Sequence, residues 1–388
     1  MGGHEVVVTD ATTITRRFDP LRRITRLLCR IRGRPQRQVA GRGCKGPSLL
    51  HNLLPILEPF LLLSPNLLFV EDRILGRQRA PHSGTLFKTP SSLDELNCWA
   101  RHATSPCDCD ECAPWLYELS SNSAHGAIRF HSRDDESKPA RFFQAHRASN
   151  VPRPKLNLRL YGEYEAMRLV RVHVAWLDST YLQSSQEEDG FEVLQLKSLL
   201  RVWNQNLTGI DMRQTMSRPQ LLHLIAILSK IFFFDAVPKH RQTISDGFSW
   251  LPDNNKSCFG IGTFNPIIGT QLLLHPKLYR HRGDPQDPEV RWRSRLGTIL
   301  HEMSHSFLKA YTCRSCTMHE HSVGPRGHGR AWQILAAKIE QVATRLLGGF
   351  VDMGRYQSLL HDFEGHGRVP SAHDLEVLKF GTRWRDQD

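Results

Sequence analysis

His301-Glu302-Met303-Ser304-His305 sets two imidazoles four positions apart, with a carboxylate beside the first. On a helix each residue turns about 100° and rises about 1.5 Å, which places His301 and His305 on one face, one turn apart. Two imidazoles so placed can bind one Zn²⁺ ion, and Glu302 can take a proton from a water on that ion. The chain holds 20 His in 388 residues, so composition alone gives this pattern with a probability of about 5%. The surroundings argue against accident. Trp292, Leu296, Ile299, Met303 and Phe307, with Leu300 as a neighbour, recur at spacings of three and four and form an apolar stripe. Arg291, Arg293 and Arg295 lie where a solvated flank is expected.

A catalytic zinc site needs three protein ligands and one open position. The best third ligand downstream is His328, in Gly327-His328-Gly329-Arg330-Ala331-Trp332. The flanking glycines allow close backbone approach. A helical pattern (Trp332, Leu335, Ile339, Val342, Leu346) follows to fix the ring. His319, His321 and His366 compete for the role. Cys313, Cys316, His319 and His321 suggest a second, structural metal site, although their spacing is tighter than common zinc fingers allow. Cys107, Cys109 and Cys112 lack a fourth ligand at a convincing spacing, with His102 the nearest, and read as an acidic loop.

The two histidine motifs together resemble the SprT-like metallopeptidase domain, a family that includes the Spartan DNA–protein crosslink proteases. Leu228 to Asp235 resembles the helix that opens such domains, and Gly260 to Leu278, with Leu272 to Leu278 at its end, the strand and turn before the active helix. The resemblance covers roughly residues 190–347. It implies a zincin-like α+β fold, with the active helix packed on helices and a small antiparallel sheet. It also implies zinc-dependent proteolysis near DNA. Two departures stand out. The interval from His305 to His328 is long for this family, and no paired C-x-x-C ribbon or ubiquitin-binding finger follows the domain.

The elements that must hold this site can be laid out along the chain. Residues 1–45 form an Arg-rich lead with eleven Lys/Arg against three acids, a net of +8 out of +12 for the whole chain. Such a lead suits nucleic acid or an anionic membrane surface, or is a solvated, disordered tail. Residues 46–155 read as a largely irregular N-terminal region. Its leucine-rich stretch, 49–69, is interrupted by Pro55, Glu58, Pro59 and Pro65 and does not span a membrane. Residues 156–190 read as a strand-like lead-in and linker, because Leu156, Leu158 and Leu160, and again Val170, Val172, Val174 and Trp176, alternate with polar residues. The metallopeptidase-like domain occupies 191–350. It has a helix over 191–203 with Leu194, Leu199 and Val202 as its apolar positions, and a buried helix over 221–234 capped by Ser217. Short strands follow between 241 and 274, then the active helix from about Glu289 to Tyr311. Residues 351–388 form a tail with one helix over 353–360.

These readings lead to a zinc-dependent endopeptidase with Glu302 as general base and His301, His305 and His328 as ligands. The resemblance implies a protein substrate, DNA-associated or DNA-crosslinked. Arg326, Arg330 and Tyr311 are the candidates to steady the oxyanion. The rival reading is a non-catalytic zinc-containing module, tethered to DNA or chromatin by the basic tail. Nine cysteines without a secretory pattern favour a reducing compartment, nuclear or cytoplasmic; the Arg-rich start leaves a mitochondrial address as the alternative.

Overall fold

The computed structural model describes residues 88–102, 107–114, 116–117, 161–183, 190–205, 211–239, 246–255, 258–277, 287–314, 316, 318–366 and 369–380. All belong to the second of two compact units, Gly84–Asp388. The basic lead and the leucine-rich stretch lie outside the described residues. In chain order the elements are α1 (Leu93–His102), α2 (Ala166–Leu177, running on into a wider turn over Asp178–Leu182), α3 (Phe191–Gln205), α4 (Met212–Thr215) and α5 (Arg218–Phe232). Strands β1 (Phe248–Trp250), β2 (Gly260–Asn265) and β3 (Gly269–Leu274) follow, then α6 (Pro288–Tyr311), α7 (His319–Val323), α8 (Arg330–Leu347), α9 (Arg355–His366) and α10 (Ala372–Leu378). This is a helical α+β arrangement with one small sheet. No described helix is long and apolar enough to cross a membrane.

The core helix α5 forms as its sequence dictates. Ser217 and Gln220 make a reciprocal capping box, and Pro219 sits in the first turn. Leu221, Leu224, Ile225, Ile227, Leu228, Ile231 and Phe232 are all buried, so nearly every face has a neighbour. The helix stops two residues short of Phe234. Phe234 and Asp235 take left-handed backbone conformations (φ 58° and 59°), and Ser229 C=O accepts from both Phe233 and Asp235 N–H.

α2 corrects the strand-like reading of Val170 to Trp176. Its buried positions are Ala166, Met167, Leu169, Val170, His173, Trp176 and Leu177, a spacing of three and four. Val172 and Val174 are only half-buried, and His173 is fully buried. The β-branched residues favour a strand locally, but packing on α8 and the Glu165 cap override that preference. Glu165 accepts from Met167 and Arg168 N–H at 3.1 and 2.8 Å. The leucine alternation at 156–160 lies outside the described residues.

α3 also presents a different face from the one its sequence suggests. Val193, Leu196, Leu200 and Trp203 are buried, whereas Leu194 and Val202 are exposed. Two nearly equivalent apolar stripes exist on this helix, and Trp203, the largest side chain among them, goes inside.

The sheet has the order β1-β3-β2 and is mixed rather than antiparallel. β2 and β3 form an antiparallel hairpin, Asn265 opposite Gly269, and β1 runs parallel to β3, Ser249 opposite Leu273. Two reversals of direction along the chain restore that of β1, and β3 rather than β2 takes the place beside it. β2 is therefore an edge strand, and it lies against α6.

Segments outside residues 191–350 complete the same unit. α1 packs on α10, and α8 packs on α2, α9 and α10. α10, in what reads as a polar tail, is capped by Ser371 with Asp374 in a second capping box. The tail thus contributes two helices, where the sequence suggests a single one over 353–360.

Candidate metal centre

α6 carries the first two imidazoles. Asp287 caps it, accepting from Glu289 N–H at 2.8 Å, and Pro288 opens its first turn. Trp292, Leu296, Ile299, Leu300, Met303 and Phe307 are buried as the stripe requires. Arg295 departs from the expected solvated flank. It lies three positions from Trp292 on the buried side, is fully enclosed, and donates to Thr215 Oγ1 at 3.3 Å.

Three glycines let other elements reach α6. A Cβ at Gly262 would overlap the Glu302 carbonyl, and one at Gly260 would meet the Glu302 side chain, so β2 lies directly on the helix. A Cβ at Gly297 would overlap the Asp352 carbonyl, so the chain entering α9 also touches α6 there. That contact delivers the Met353 carbonyl to His301 Nδ1 at 2.8 Å. A carbonyl only accepts, so Nδ1 carries the proton and the Nε2 lone pair of His301 is free to bind.

His328 arrives on the turn between α7 and α8. Gly324 and Gly327 have φ of +83° and +88°, which side chains with a Cβ rarely adopt. Gly329 N–H donates to Val323 C=O at 2.7 Å and closes the turn at the start of α8. His305 Nε2 lies 3.1 Å from His301 Nε2 and 2.9 Å from His328 Nε2, and His328 Nε2 lies 3.2 Å from His301 Nε2. Trp332 lines all three rings, at 4.6, 5.7 and 4.9 Å between centroids from His301, His305 and His328.

Three converging ring nitrogens fit a metal ion. Zinc–imidazole bonds of about 2.0–2.1 Å at tetrahedral angles separate ligand nitrogens by about 3.3 Å, close to the spacing here. Burial holds His305 far below its usual pKa, with His301 and His328 adding to the effect. Burial also lowers His328, against the opposing pull of Asp362. Neutral imidazoles are the ligand form. Asp362 is buried, with Oδ1 3.7 Å from His328 Nδ1, and accepts from Arg326 N–H at 3.0 Å. It is the kind of outer carboxylate that orients a ligating ring.

Glu302 points across to β2. Its Oε2 accepts from Gly262 N–H at 2.7 Å, and its Oε1 lies 4.0 Å from His301 Nε2. Burial raises its pKa, opposed by His301, the Gly262 N–H and Lys309. Lys309 Nζ donates to Gly262 C=O at 2.7 Å, and burial lowers its pKa. Both backbone polar groups of Gly262 are therefore engaged by side chains of α6.

The other expected site residues lie elsewhere. Arg326 binds the His361 carbonyl and Glu364. Arg330 is enclosed by Asp110 and Asp374, and Tyr311 donates to Ala236 C=O at 3.3 Å. None of these three is placed by such contacts to serve an oxyanion. Cys313, Cys316, His319 and His321 do not form a ligand set among the described residues. Cys313 and Cys316 are buried together, and hydrogen bonding to Cys313 pushes the Cys316 thiol up. His321 turns instead to Asp108, at 3.2 Å. Two successive turns, closed by Cys316 N–H on Cys313 C=O and His319 N–H on Cys316 C=O, lead from the thiols into α7. The side chain of His366 lies outside the described residues.

Sequence reasoning missed Lys309, Asp362, Met353 and Gly262. Lys309 had a local signal, since it follows His305 by four positions and shares its face. The other three are joined to the site only by folding. Together, fold and site define an α+β protein with a three-histidine group that can hold a metal ion, and a buried carboxylate beside it. No protein-family model, curated protein or solved structure matches the chain.

Proposed function

We propose that this chain is a zinc-dependent endopeptidase of the SprT-like type, acting on DNA-associated or DNA-crosslinked proteins. The observation that carries the reading is the set of three Nε2 atoms within 3.2 Å of one another, with the Glu302 carboxylate 4.0 Å from His301 Nε2. A purely structural site has no need of an ionisable carboxylate next to its ligands. His301, His305 and His328 would hold the ion. Zinc there supplies a Lewis acid for a carbonyl and brings the pKa of a water to about 7.

Glu302 takes the water proton as the water oxygen bonds to the peptide carbonyl carbon. As the peptide C–N bond breaks, Glu302 returns that proton to the leaving amine. The products are a carboxylic acid and an amine. Burial of Glu302 raises its proton affinity, which suits a group that must hold a proton briefly at neutral pH. The Gly262 N–H keeps it aimed between helix and strand, and Lys309 holds the carbonyl of the same glycine. β2 is the edge on which an extended substrate segment would lie. Pairing at Gly262 then requires Glu302 and Lys309 to exchange their Gly262 contacts for substrate and water. The basic lead gives the DNA association, and with it a nuclear setting.

The test is cleavage of a protein covalently attached to DNA, by zinc-loaded wild type and Glu302→Gln, with and without single-stranded DNA. Fragments from wild type only, and only with DNA, are expected. Fragments from both proteins alike would remove Glu302 from the chemistry. Fragments without a DNA effect would remove the DNA role.

A further inference from the structure

Cys107, Cys109 and Cys112 approach the site from the other end of the chain. Their three Sγ atoms lie within 4.8 Å of one another, and ligand atoms of Cys109, Glu111 and His373 form an overlapping set at the same spacing. His373 is the second residue of α10 and sits 262 positions beyond Glu111, whose carboxylate it meets at 2.7 Å. The fold thus supplies a candidate for the fourth ligand that the local sequence lacked.

We propose that Cys107, Cys109, Cys112 and His373 bind a second metal ion, a closed structural site suited to zinc. Tetrahedral zinc with bonds of about 2.3 Å to sulfur separates the sulfurs by about 3.8 Å, which falls inside the 4.8 Å within which the three Sγ atoms lie. Three thiolates and one imidazole leave no open position, the mark of a structural rather than a catalytic site. Thiolates also select zinc over hard cations such as magnesium and calcium.

Two donors already meet the sulfurs. Cys112 N–H points at Cys109 Sγ at 3.4 Å, and Ser371 O–H donates to Cys107 Sγ at 3.0 Å. The loop is also held in shape independently of any ion. Asp110 binds Arg171 at 2.7 Å and Arg330 at 2.9 Å, and Arg171 reaches Glu111 at 2.5 Å. On binding, His373 would exchange Glu111 for the ion, with Glu111 still paired to Arg171.

The site joins two segments that grip the same arginine. Asp110, within the cysteine loop, and Asp374, next to His373, both bind Arg330. Arg330 is the first residue of α8, two positions after His328. An ion here would fasten the residue behind the third histidine, and the inference stands whether or not the histidine site is catalytic.

The experiment loads the full-length chain with cobalt and with zinc. Thiolate-to-cobalt charge-transfer absorption is expected in wild type, because the three-histidine site contains no sulfur. It should persist in His301→Ala/His305→Ala and in Cys313→Ser/Cys316→Ser, and vanish in Cys109→Ser. Zinc content should fall by one equivalent in Cys109→Ser. His373→Ala should give up that equivalent to a chelator concentration that wild type withstands. Absence of thiolate absorption in cobalt-loaded wild type overturns the proposal without reliance on any variant. Loss of that absorption in Cys313→Ser/Cys316→Ser, with Cys109→Ser unaffected, would also overturn it. Wild-type behaviour of His373→Ala would remove His373 from the ligand set.

Discussion

Replacing Asp362 by Asn removes one negative charge from behind His328 and leaves the shape unchanged. The Asn oxygen can still accept from Arg326 N–H, which now reaches Asp362 Oδ1 at 3.0 Å. What disappears is the electrostatic hold on the His328 ring, whose Nδ1 lies 3.7 Å away. A hydrogen bond to a charged group contributes about 1.5–3 kcal/mol, and outer-shell partners of zinc ligands change affinity by roughly 10–100-fold. The two ranges agree, since about 1.4 kcal/mol is a factor of ten. A separation of 3.7 Å is longer than a hydrogen bond, so a loss near the lower end, about tenfold in zinc affinity, is expected. The metal-free protein should not lose stability, because a buried ionised carboxylate becomes a neutral amide. Chelator competition gives the zinc affinity, and denaturant unfolding in excess chelator gives the metal-free stability. Unchanged zinc affinity in Asp362→Asn would refute the orienting role. A large loss of metal-free stability would show that Asp362 serves the fold instead.

Other expectations follow from the same geometry. Glu302→Gln should lower kcat by about 10²–10⁴-fold, the usual contribution of a general base, with zinc content unchanged by metal analysis. Gly262→Ala should separate β2 from α6, because the new Cβ would overlap the Glu302 carbonyl and meet His305 Cβ at 2.9 Å. A stability loss of about 1–3 kcal/mol is expected, together with lost hydrolysis, while the distant Gly348→Ala keeps activity. His173 is fully buried against the Phe232 carbonyl at 2.5 Å, and burial takes its pKa from 6.5 down to about 3. The unfolded state therefore binds a proton first, so the stabilisation is complete above pH 6.5 and is lost as pH falls toward about 3. Its full size is on the order of 5 kcal/mol; unfolding at pH 7 and pH 4 should show a steeper acid loss in wild type than in His173→Gln. Ser217→Ala should cost about 1 kcal/mol by opening the capping box, read as a drop of about 2–4 °C in Tm.

What the sequence determined was local. The i, i+4 histidines, the apolar stripe of α6 and the caps at Ser217 and Asp287 are short-range facts, and helix geometry turns them directly into structure. The period of α8 and the Gly-His-Gly turn before it belong with them. Where local signals compete, the chain alone does not choose. β-branched alternation in α2 and two apolar stripes in α3 were resolved only by which large side chains found a core. The burial of Arg295, the mixed sheet and the dispersal of Cys313, Cys316, His319 and His321 are likewise products of packing. The partners most distant in sequence were invisible beforehand: Met353 on His301, Asp362 on His328, and His373 beside Glu111 and Cys109. Such contacts are specified by no spacing, because they exist only once long loops have closed and separate elements share a core.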